Sequence, residues 1–390
     1  MRALEDEGRI RSGPVRDAFL AVPRELFVPE FAEEHELAAV YRDEVIVTKW
    51  SAQGVPLSSS SQPAIMASML EQLQLRDGMR VLEVGAGTGY NAALLSVLVG
   101  RRGRVVSVDV DPDLARKARR ALRTGGYKAR VVVGDGREGH AELAPYDRVI
   151  VTASSDHVPI AWFEQLEPEG LLEAPLQLPG AEVQAIPLLR KTRSGFRSTD
   201  VLAGGFMPLR SAGQEAAVAI ELPALLASER GWPLQQLTGD ALDTLSARAK
   251  RRALSISLSE GCRRPLGLRA HPSALMFFLA LELPPRARIT TVPRFGVGVI
   301  TADGGSLAVI ELPPTGRNKT ISSLRLFGGD EAEELLLQHV REWDRRGRPA
   351  ESQLELTVSY DEGGISRLRH RWPSARSTSR AGSRGRTRGA

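Results

Sequence analysis

Three glycines at alternate positions follow a short apolar run near residue 84. Gly85, Gly87 and Gly89 come directly after Val81–Val84 and before a segment with helical spacing. A glycine-rich turn between a strand and a helix lets the backbone approach a ligand closely, and the free N–H groups at the helix start attract an anion. The spacing is tighter than in the Gly-x-Gly-x-x-Gly turn that holds a pyrophosphate. It therefore suits a ligand whose amino-acid end lies against the turn.

Acidic residues stand at the ends of the strands around this turn. Asp109 comes twenty residues after Gly89, where a carboxylate can accept both hydroxyl groups of a ribose, and Asp135 is predicted to lie near an adenine amino group. Glu83 is predicted to lie near the ammonium group of the ligand. Each acid alone is equally compatible with an ordinary turn, but the ordered set predicts S-adenosylmethionine. The predicted cofactor-binding residues are Glu83, Gly85, Ala86, Gly87, Thr88, Gly89, Asp109, Val110, Asp135 and Gly136.

Short β-branched runs alternate with helical apolar spacing between residues 63 and 147. Strands of near-continuous apolar character between helices indicate a parallel sheet that is covered on both faces. We therefore predict an α/β fold with a doubly wound, Rossmann-like sheet, whereas residues 41–61 are expected to be irregular. The predicted strands are Val81–Val84, Val105–Asp109, Val131–Val133 and Arg148–Thr152.

The pattern changes after residue 180 and predicts a smaller α+β C-terminal domain. Residues 230–252 are expected to be helical, and Asp330 with Glu333 forms a capping-box pattern. The predicted strands are Val183–Arg190, Val201–Phe206, Arg288–Val292, Val297–Thr301, Leu307–Leu312 and, as the last, Leu354–Val358. The predicted division is 1–62, an N-terminal segment with the substrate loop; 63–213, the cofactor domain; 214–370, an extension that is a candidate for peptide binding; and 371–390, a disordered tail. It predicts that a chain ending near residue 213, if it folds, binds the cofactor but no longer methylates its peptide.

The net charge of +5 originates in the tail. Residues 371–390 contain six arginines and no acid, so the rest of the chain carries a net charge of −1. The single cysteine, Cys262, excludes an internal disulfide, and the six histidines show no metal-binding spacing. The longest strictly apolar run, Ala274–Leu281, is much shorter than a membrane span. Without a secretory signal pattern, a cytoplasmic protein with no metal and no membrane partner is expected.

Several short segments between residues 10 and 180 carry a family resemblance. They are Val22-Pro23-Arg24-Glu25, Phe27-Val28-Pro29, Tyr41-Arg42-Asp43, Ser61-Gln62-Pro63, Gly85–Tyr90, Gly134-Asp135-Gly136, Tyr146-Asp147 and Val151-Thr152-Ala153. The chain resembles protein-L-isoaspartate O-methyltransferases, in which the Val-Pro-Arg and Ser-Gln-Pro elements are specific among methyltransferases. The resemblance implies a class I methyltransferase sheet, largely parallel with a reversed final strand. It also implies a peptide substrate that is methylated on the free carboxylate of isoaspartate.

Two departures from that family favour a different acceptor. The run Ser59-Ser60-Ser61 stands where the family has Thr-Ile-Ser, and the chain continues well beyond the usual end. With Gly205-Phe206-Met207-Pro208, they resemble an actinobacterial branch that acts beside ribosomally made, modified peptides, including lanthipeptides. That resemblance implies methylation of an ordinary aspartate, whose ester closes to an aspartimide that can hydrolyse to isoaspartate. Repair of isoaspartyl proteins is the alternative.

Either acceptor is a carboxylate, which is already anionic at pH 7 and needs no general base. The site must therefore desolvate and orient the two reactants. Ser61, followed by Ser59 and Ser60, is the predicted catalytic group that positions the acceptor by hydrogen bonding. The competing interpretation of this serine run is a flexible loop of low complexity.

Two other functions stay open with less support. A nucleic-acid methyltransferase that modifies amino groups commonly has a polar-Pro-Pro-aromatic turn, and here that position reads Thr152-Ala153-Ser154-Ser155. A cytosine-C5 enzyme needs a Pro-Cys nucleophile, but Gly261 precedes Cys262. A non-catalytic peptide-binding module is disfavoured by the intact cofactor acids. The sequence leaves the oligomeric state open.

Overall fold

The computed structural model describes residues 1–52, 54–178, 183–211, 236–257, 261–266, 268, 272–292, 296–311 and 323–373. The α-helices in these ranges are α1 Arg2–Asp6, α2 Gly13–Ala21, α3 Pro29–Glu34, α4 Leu37–Val40, α5 Pro63–Leu73, α6 Tyr90–Leu98, α7 Pro112–Gly125, α8 Ile160–Glu164, α9 Asp240–Thr244, α10 Ala247–Ser257, α11 Pro272–Glu282 and α12 Glu331–Arg345. The strands are β1 Ile46–Trp50, β2 Pro56–Ser60, β3 Arg80–Val84, β4 Arg104–Asp109, β5 Ala129–Val133, β6 Tyr146–Val151, β7 Leu166–Glu173, β8 Leu176–Gln177, β9 Gln184–Thr192, β10 Gly195–Ala203, β11 Gln236–Thr238, β12 Cys262–Pro265, β13 Arg288–Val292, β14 Gly296–Ile300, β15 Ser306–Glu311, β16 Ser323–Gly328, β17 Glu355–Tyr360 and β18 Ser366–Arg371.

The large sheet has the order β18-β17-β10-β9-β7-β6-β3-β4-β5, with β8 beside β9. Strands β3 to β7 pair in parallel, and β9 pairs antiparallel to β7. The parallel sheet with a reversed strand is thus confirmed, with the four predicted parallel strands correct to within two residues at each end. The predicted strand Val201–Phe206 is displaced, because β10 pairs with β9 from Gly195 to Ala203. Helices on both faces bury the apolar residues of β3, β4 and β6, which explains their unbroken hydrophobic runs.

Helix α7 begins directly after the end of β4 and borders the site described below. The Asp111 carboxylate accepts hydrogen bonds from the backbone N–H groups of Asp113 and Leu114, and Pro112 occupies the first helical position. This is a strong helix start, because the side chain satisfies two donors that the helix leaves unpaired. The helix ends at Gly126, whose φ of +73° suits glycine.

A second, antiparallel sheet with the order β11-β13-β14-β15-β16-β12 confirms the predicted small sheet. Two local predictions between residues 230 and 345 are wrong. Residues 236–252 do not form one helix, because β11 and Gly239, at φ +120°, precede α9 and α10; residues 230–235 lie outside the described ranges. Asp330 occupies the N-cap position of α12 in a helical conformation and makes no side-chain cap bond, so no capping box forms there.

The chain returns to the large sheet after α12. Strand β17 pairs antiparallel with β10, and β18 follows it, so Leu354–Val358 is not the last strand. Leu356 and Trp372 are buried in one apolar cluster with Val201 of β10 and residues of α11. The folded part thus includes residues 371–373, and the remaining tail lies outside the described residues. The division at residues 62, 213 and 370 stays a prediction, although the large sheet takes strands from both sides of residue 213.

Candidate active site

A cavity of about 410 Å³ lies at the carboxyl ends of β3 and β4, beneath the hairpin formed by β1 and β2. It brings together most of the predicted site residues. Those on its wall are Ser59, Ser60, Ser61, Gly85, Ala86, Gly87, Thr88, Asp109, Val110 and Gly136. The predicted residues that the structure places outside this wall are Glu83, Gly89 and Asp135.

Gly85 leaves no room for a side chain, and the positive φ of Gly87 favours glycine there. A Cβ atom added to Gly85, at φ +99°, would lie 2.7 Å from Thr152 Oγ1. One added to Gly87, at φ +49°, would lie 3.5 Å from the carbonyl oxygen of Ser59. Gly89 instead faces α7, where an added Cβ would lie 3.1 Å from the Cβ of Ala118. Two of the three glycines thus shape the cavity, and the third permits helix packing.

Asp109 lies at the end of β4 with its carboxylate on the cavity wall. One oxygen accepts the N–H of Gly87 at 2.8 Å and the other accepts the N–H of Asp111 at 2.9 Å. Burial raises the pKa of Asp109, and these two backbone donors oppose that effect. Each oxygen retains acceptor capacity for a further donor. The carboxylate is therefore held in a fixed orientation that can accept the two hydroxyl groups of a ribose.

Glu83 lies beneath the glycine turn and is fully buried. Its carboxylate accepts hydrogen bonds from Asn91 Nδ2 at 2.8 Å and from the Ser107 hydroxyl. Successive side chains of a strand point to opposite faces, so Val84 rather than Glu83 reaches the cavity wall. The structure gives Glu83 a scaffolding role, and its contact with a ligand ammonium group stays a prediction.

Burial raises the pKa of Glu83 to about 7, from an ordinary value of 4.5. The unfolded chain ionises first, so the stability that Glu83 contributes is complete below pH 4.5 and is lost as the pH rises through 7. We expect Glu83→Gln to make urea unfolding less dependent on pH between 5 and 8, by up to about 3 kcal/mol. Glu34→Gln, which removes an exposed carboxylate, is the control. Parallel stability curves for the wild type and Glu83→Gln would contradict the prediction.

Asp135 caps the short 3-10 turn Gly136–Glu138. Its carboxylate accepts the N–H of Arg137 at 2.9 Å and forms an ion pair with the same guanidinium at 3.3 Å. Arg137 also donates to the carbonyl of Leu209 at 2.7 Å, which ties this turn to another part of the cavity wall. The predicted contact of Asp135 with adenine stays a prediction, since the described cavity wall includes Gly136 but not Asp135.

The serine run forms the second strand of a hairpin, contrary to the irregular segment expected there. Ser60 pairs with Ile46 and Ser59 pairs with Val47. Ser58 and Ser60 are buried, whereas Ser59 and Ser61 are partly exposed on the cavity wall. The register of the hairpin thus separates the serines into two sets.

Arg24 is the principal residue of the site that the sequence analysis left without a role. Its side chain is only 1% exposed. Nε donates to the Ser60 hydroxyl at 3.2 Å, and the guanidinium also donates to the carbonyl oxygens of Val40, Arg42, Glu44, Ser60 and Ser61. The Val-Pro-Arg element could have indicated a role for Arg24, because a charged residue interrupts an apolar pattern there. Arg24 therefore holds the serine run in place.

Further contacts fix the two ends of the serine run. The Asp43 carboxylate accepts from the backbone N–H of Ala64 at 2.7 Å and from Gln62 Nε2 at 2.8 Å, at the start of α5. Lys49 of β1 forms an ion pair with Asp111 at 2.5 Å. The hairpin is thereby joined both to α5 and to the loop that follows β4.

The segment after β10 completes the cavity wall with Gly205, Phe206, Met207 and Pro208. The Gln184 amide holds its backbone, accepting the N–H of Phe206 at 2.8 Å and donating to its carbonyl at 3.0 Å. In the described part of the chain, no cluster of three or more metal-ligating side chains occurs. Over the same residues, no helix is long and apolar enough to cross a bilayer.

Comparisons with known proteins agree with this arrangement. The family model of protein-L-isoaspartate(D-aspartate) O-methyltransferase (PCMT) matches residues 1–214. A protein-L-isoaspartate O-methyltransferase of Ignicoccus hospitalis is 38% identical over 211 residues, which are 54% of this chain and 94% of that protein. One of the same name from Thermotoga maritima is 41% identical over 181 residues, 46% of this chain and 56% of that protein.

A solved structure named protein-L-isoaspartate O-methyltransferase aligns with 94% of this chain and 97% of its own, at 28% identity and a TM-score of 0.52. The part of the chain after residue 214 thus has a counterpart in a protein of that name. The family model covers more than half of the chain and includes the whole serine run and glycine turn. The chain belongs to the protein-L-isoaspartate(D-aspartate) O-methyltransferase family and is an S-adenosylmethionine-dependent protein carboxyl O-methyltransferase.

Proposed function

We propose that this protein transfers the methyl group of S-adenosylmethionine to the free carboxylate of isoaspartyl residues in peptides or proteins. One observation carries the proposal: a single cavity has the glycine turn and Asp109 on its wall together with the partly exposed serines Ser59 and Ser61. A cofactor bound by the turn therefore faces the part of the chain that is suited to hold a peptide carboxylate.

The choice of isoaspartate over ordinary aspartate rests on the relatives. The matched proteins described above carry the name of the isoaspartate enzyme. The long C-terminal region, which the sequence analysis took as a departure, aligns with a protein of that name. The alternative proposal, methylation of an ordinary aspartate in a modified peptide, then rests only on the resemblance of Ser59-Ser60-Ser61 and Gly205–Pro208 to the actinobacterial branch. A peptide-binding role for residues 214–370 is likewise a proposal.

The cavity suits the cofactor in size and in its polar groups. Its volume falls within the range of about 300–1,000 Å³ that is usual for small-ligand sites. The turn at Gly85 and Gly87 admits a ligand against bare backbone, the N-terminus of α6 favours its carboxylate, and Asp109 accepts its ribose hydroxyls. When bound, S-adenosylmethionine supplies an electrophilic methyl group. Asp135 and Glu83 are assigned supporting roles around this cofactor-binding site.

The chain's own task toward the acceptor is orientation. An ionised carboxylate needs no base, so catalysis requires its removal from water and alignment with the methyl group. Ser61 and Ser59 are the proposed hydrogen-bond donors to the acceptor, because both are partly exposed on the cavity wall. Ser60 is assigned to the scaffold, since its hydroxyl accepts from Arg24.

The function is tested by comparing acceptors with the full-length protein. Matched peptides that differ only in isoaspartate or aspartate at one position are incubated with the cofactor, and the methyl ester is measured by mass spectrometry. We expect ester on the isoaspartyl peptide alone. Transfer to the aspartyl peptide or to a lanthionine-bridged peptide, with none to isoaspartate, would establish the peptide-modifying alternative.

Asp109→Ala is expected to weaken cofactor binding by about 1.5–3 kcal/mol, or roughly 10- to 150-fold, because a charge-assisted pair of hydrogen bonds is lost. Calorimetric titration with S-adenosylhomocysteine measures the effect. Asp109→Asn keeps one oxygen acceptor, so its cofactor affinity should lie between those of the wild type and Asp109→Ala. Asp113→Ala, on an exposed residue in the first turn of α7, is the control. If the affinity of Asp109→Ala for S-adenosylhomocysteine were unchanged, Asp109 would not belong to the cofactor-binding site.

A further inference from the structure

Arg9 lies on the wall of the same cavity as Ser61 and Gly87. Its side chain is half-buried, and its Nε is buried without a hydrogen-bond partner among the residues that the structure describes. A buried charged donor is costly unless a partner satisfies it. A guanidinium on the wall of a ligand cavity whose Nε lacks a partner is therefore suited to an anion that enters the cavity.

The segment that carries Arg9 is fixed to the helix that follows the serine run. One oxygen of Glu71, on α5, accepts the N–H of Arg11 at 2.9 Å, the N–H of Ser12 at 2.8 Å and the Ser12 hydroxyl at 2.9 Å. Leu4 and Ile10 on either side of Arg9 are buried in the main core. Arg9 thus keeps a defined position relative to Ser61, which lies two residues before α5.

The other charged groups on the described wall already have partners or belong to the cofactor side. Arg210 donates to the carbonyl of Leu57 at 3.4 Å, and its charge opposes the rise in the pKa of the nearby Asp109. Both oxygens of Asp43 are bonded at the start of α5. Glu7 is exposed at the rim, and no ion pair within 4.0 Å joins it to Arg9. Within the described cavity wall, Arg9 is the cation without a partner.

We propose that the Arg9 guanidinium binds the carboxylate of the acceptor residue and positions it for methyl transfer. The identity of the acceptor as isoaspartate rests on the proposed function; the contact itself requires only a peptide carboxylate. One carboxylate oxygen pairs with Arg9 while the other attacks the methyl carbon. The new O–CH₃ bond forms as the C–S bond breaks, and its electron pair stays on sulfur, which becomes the neutral thioether of S-adenosylhomocysteine. The product is a neutral ester, so the ion pair is lost and release is favoured.

The test compares Arg9→Ala and Arg9→Lys with Arg11→Ala in the full-length protein. Arg11 is exposed, and its bond to Glu71 comes from the backbone, so its side chain is a matched control. We expect Arg9→Ala to raise KM for the acceptor peptide about tenfold or more with kcat changed less than about threefold, because the contact is made to the anionic acceptor in the ground state and weakens as the carboxylate loses its charge. Arg9→Lys should restore part of the loss, and cofactor affinity should stay unchanged in each variant.

A binding measurement separates this inference from the proposed function. The isoaspartyl peptide and its methyl ester are titrated into the protein with S-adenosylhomocysteine present. The wild type should prefer the free carboxylate, and Arg9→Ala should lose that preference. Equal preference in both proteins, or an unchanged KM, would overturn the role of Arg9 even if the wild type is fully active. A wild type that methylates neither peptide overturns the proposed function, and the titration then decides on Arg9 by itself.

Discussion

Removing residues 214–390 is expected to unfold the methyltransferase sheet or to leave it aggregating. The cut removes β17 from the side of β10 and uncovers Leu178, Ala185 and Val201, which pack with the C-terminal apolar residues. Exposure of a buried aliphatic side chain costs about 1.5–3 kcal/mol, so a few of them amount to much of a typical stability of about 5–15 kcal/mol. The relative from Ignicoccus hospitalis is much shorter, since its 211 matched residues are 94% of its length, but here the surface is apolar and adapted to be covered.

Thermal melting followed by circular dichroism tests this result. A chain that ends at Pro373 is the matched control, because it lacks the arginine-rich tail yet keeps β17, β18 and the buried Trp372. The control should melt as the full-length protein does and bind S-adenosylhomocysteine equally well. A loss of about 1 kcal/mol shifts the melting midpoint by roughly 2–4 °C. A chain ending at residue 213 that melts within a few degrees of the full-length protein would therefore show that residues 1–213 have an independent core.

Arg24→Ala is expected to lower kcat/KM by about 100-fold or more. The guanidinium makes six hydrogen bonds, and its loss leaves the carbonyl oxygens of Ser60 and Ser61 among the acceptors without their donor. Hydrogen bonds to charged groups contribute about 1.5–3 kcal/mol each. A displacement of about 1 Å in a positioning group is enough to cost about 100-fold in rate.

The readout must separate a local effect from general unfolding. Hydrogen exchange should rise in residues 40–62, whereas the glycine turn and the affinity for S-adenosylhomocysteine should change little. Arg16→Ala is the control, since Arg16 is exposed and pairs only with Asp17 among the described residues. If Arg24→Ala kept full activity, the serine run would have to be held by other contacts.

The sequence predicted the parallel sheet well because its signals are local. Apolar β-branched runs, the glycines and Asp109 follow one another within short distances, and each element forms where its pattern is. The hairpin was missed because the serine run has no apolar alternation; its strand conformation depends on pairing with β1. Strand β18 is polar except for Leu368 and forms by pairing with β17.

Side-chain directions were harder to predict than positions. Glu83 stands at the expected strand end, yet Asn91 and Ser107 bind its carboxylate beneath the turn. The role of Arg24 depends on backbone carbonyls between residues 40 and 61. Because every residue has the same backbone carbonyl, the sequence does not show which of them accept hydrogen bonds from Arg24. Arg9 had no periodic pattern around it. These assignments required the folded chain, because most of these contacts join groups that are far apart in sequence.

The pairing of β17 with β10 sets an order of events during synthesis. Residues 204–354 must leave the ribosome between the end of β10 and the start of β17. At about 5–20 residues per second, β10 waits roughly 8–30 s with one edge open. An open strand edge is a template for wrong pairing between nascent chains. Messages truncated within that interval therefore yield products that are prone to aggregate, and slow codons there should lower the yield of folded enzyme.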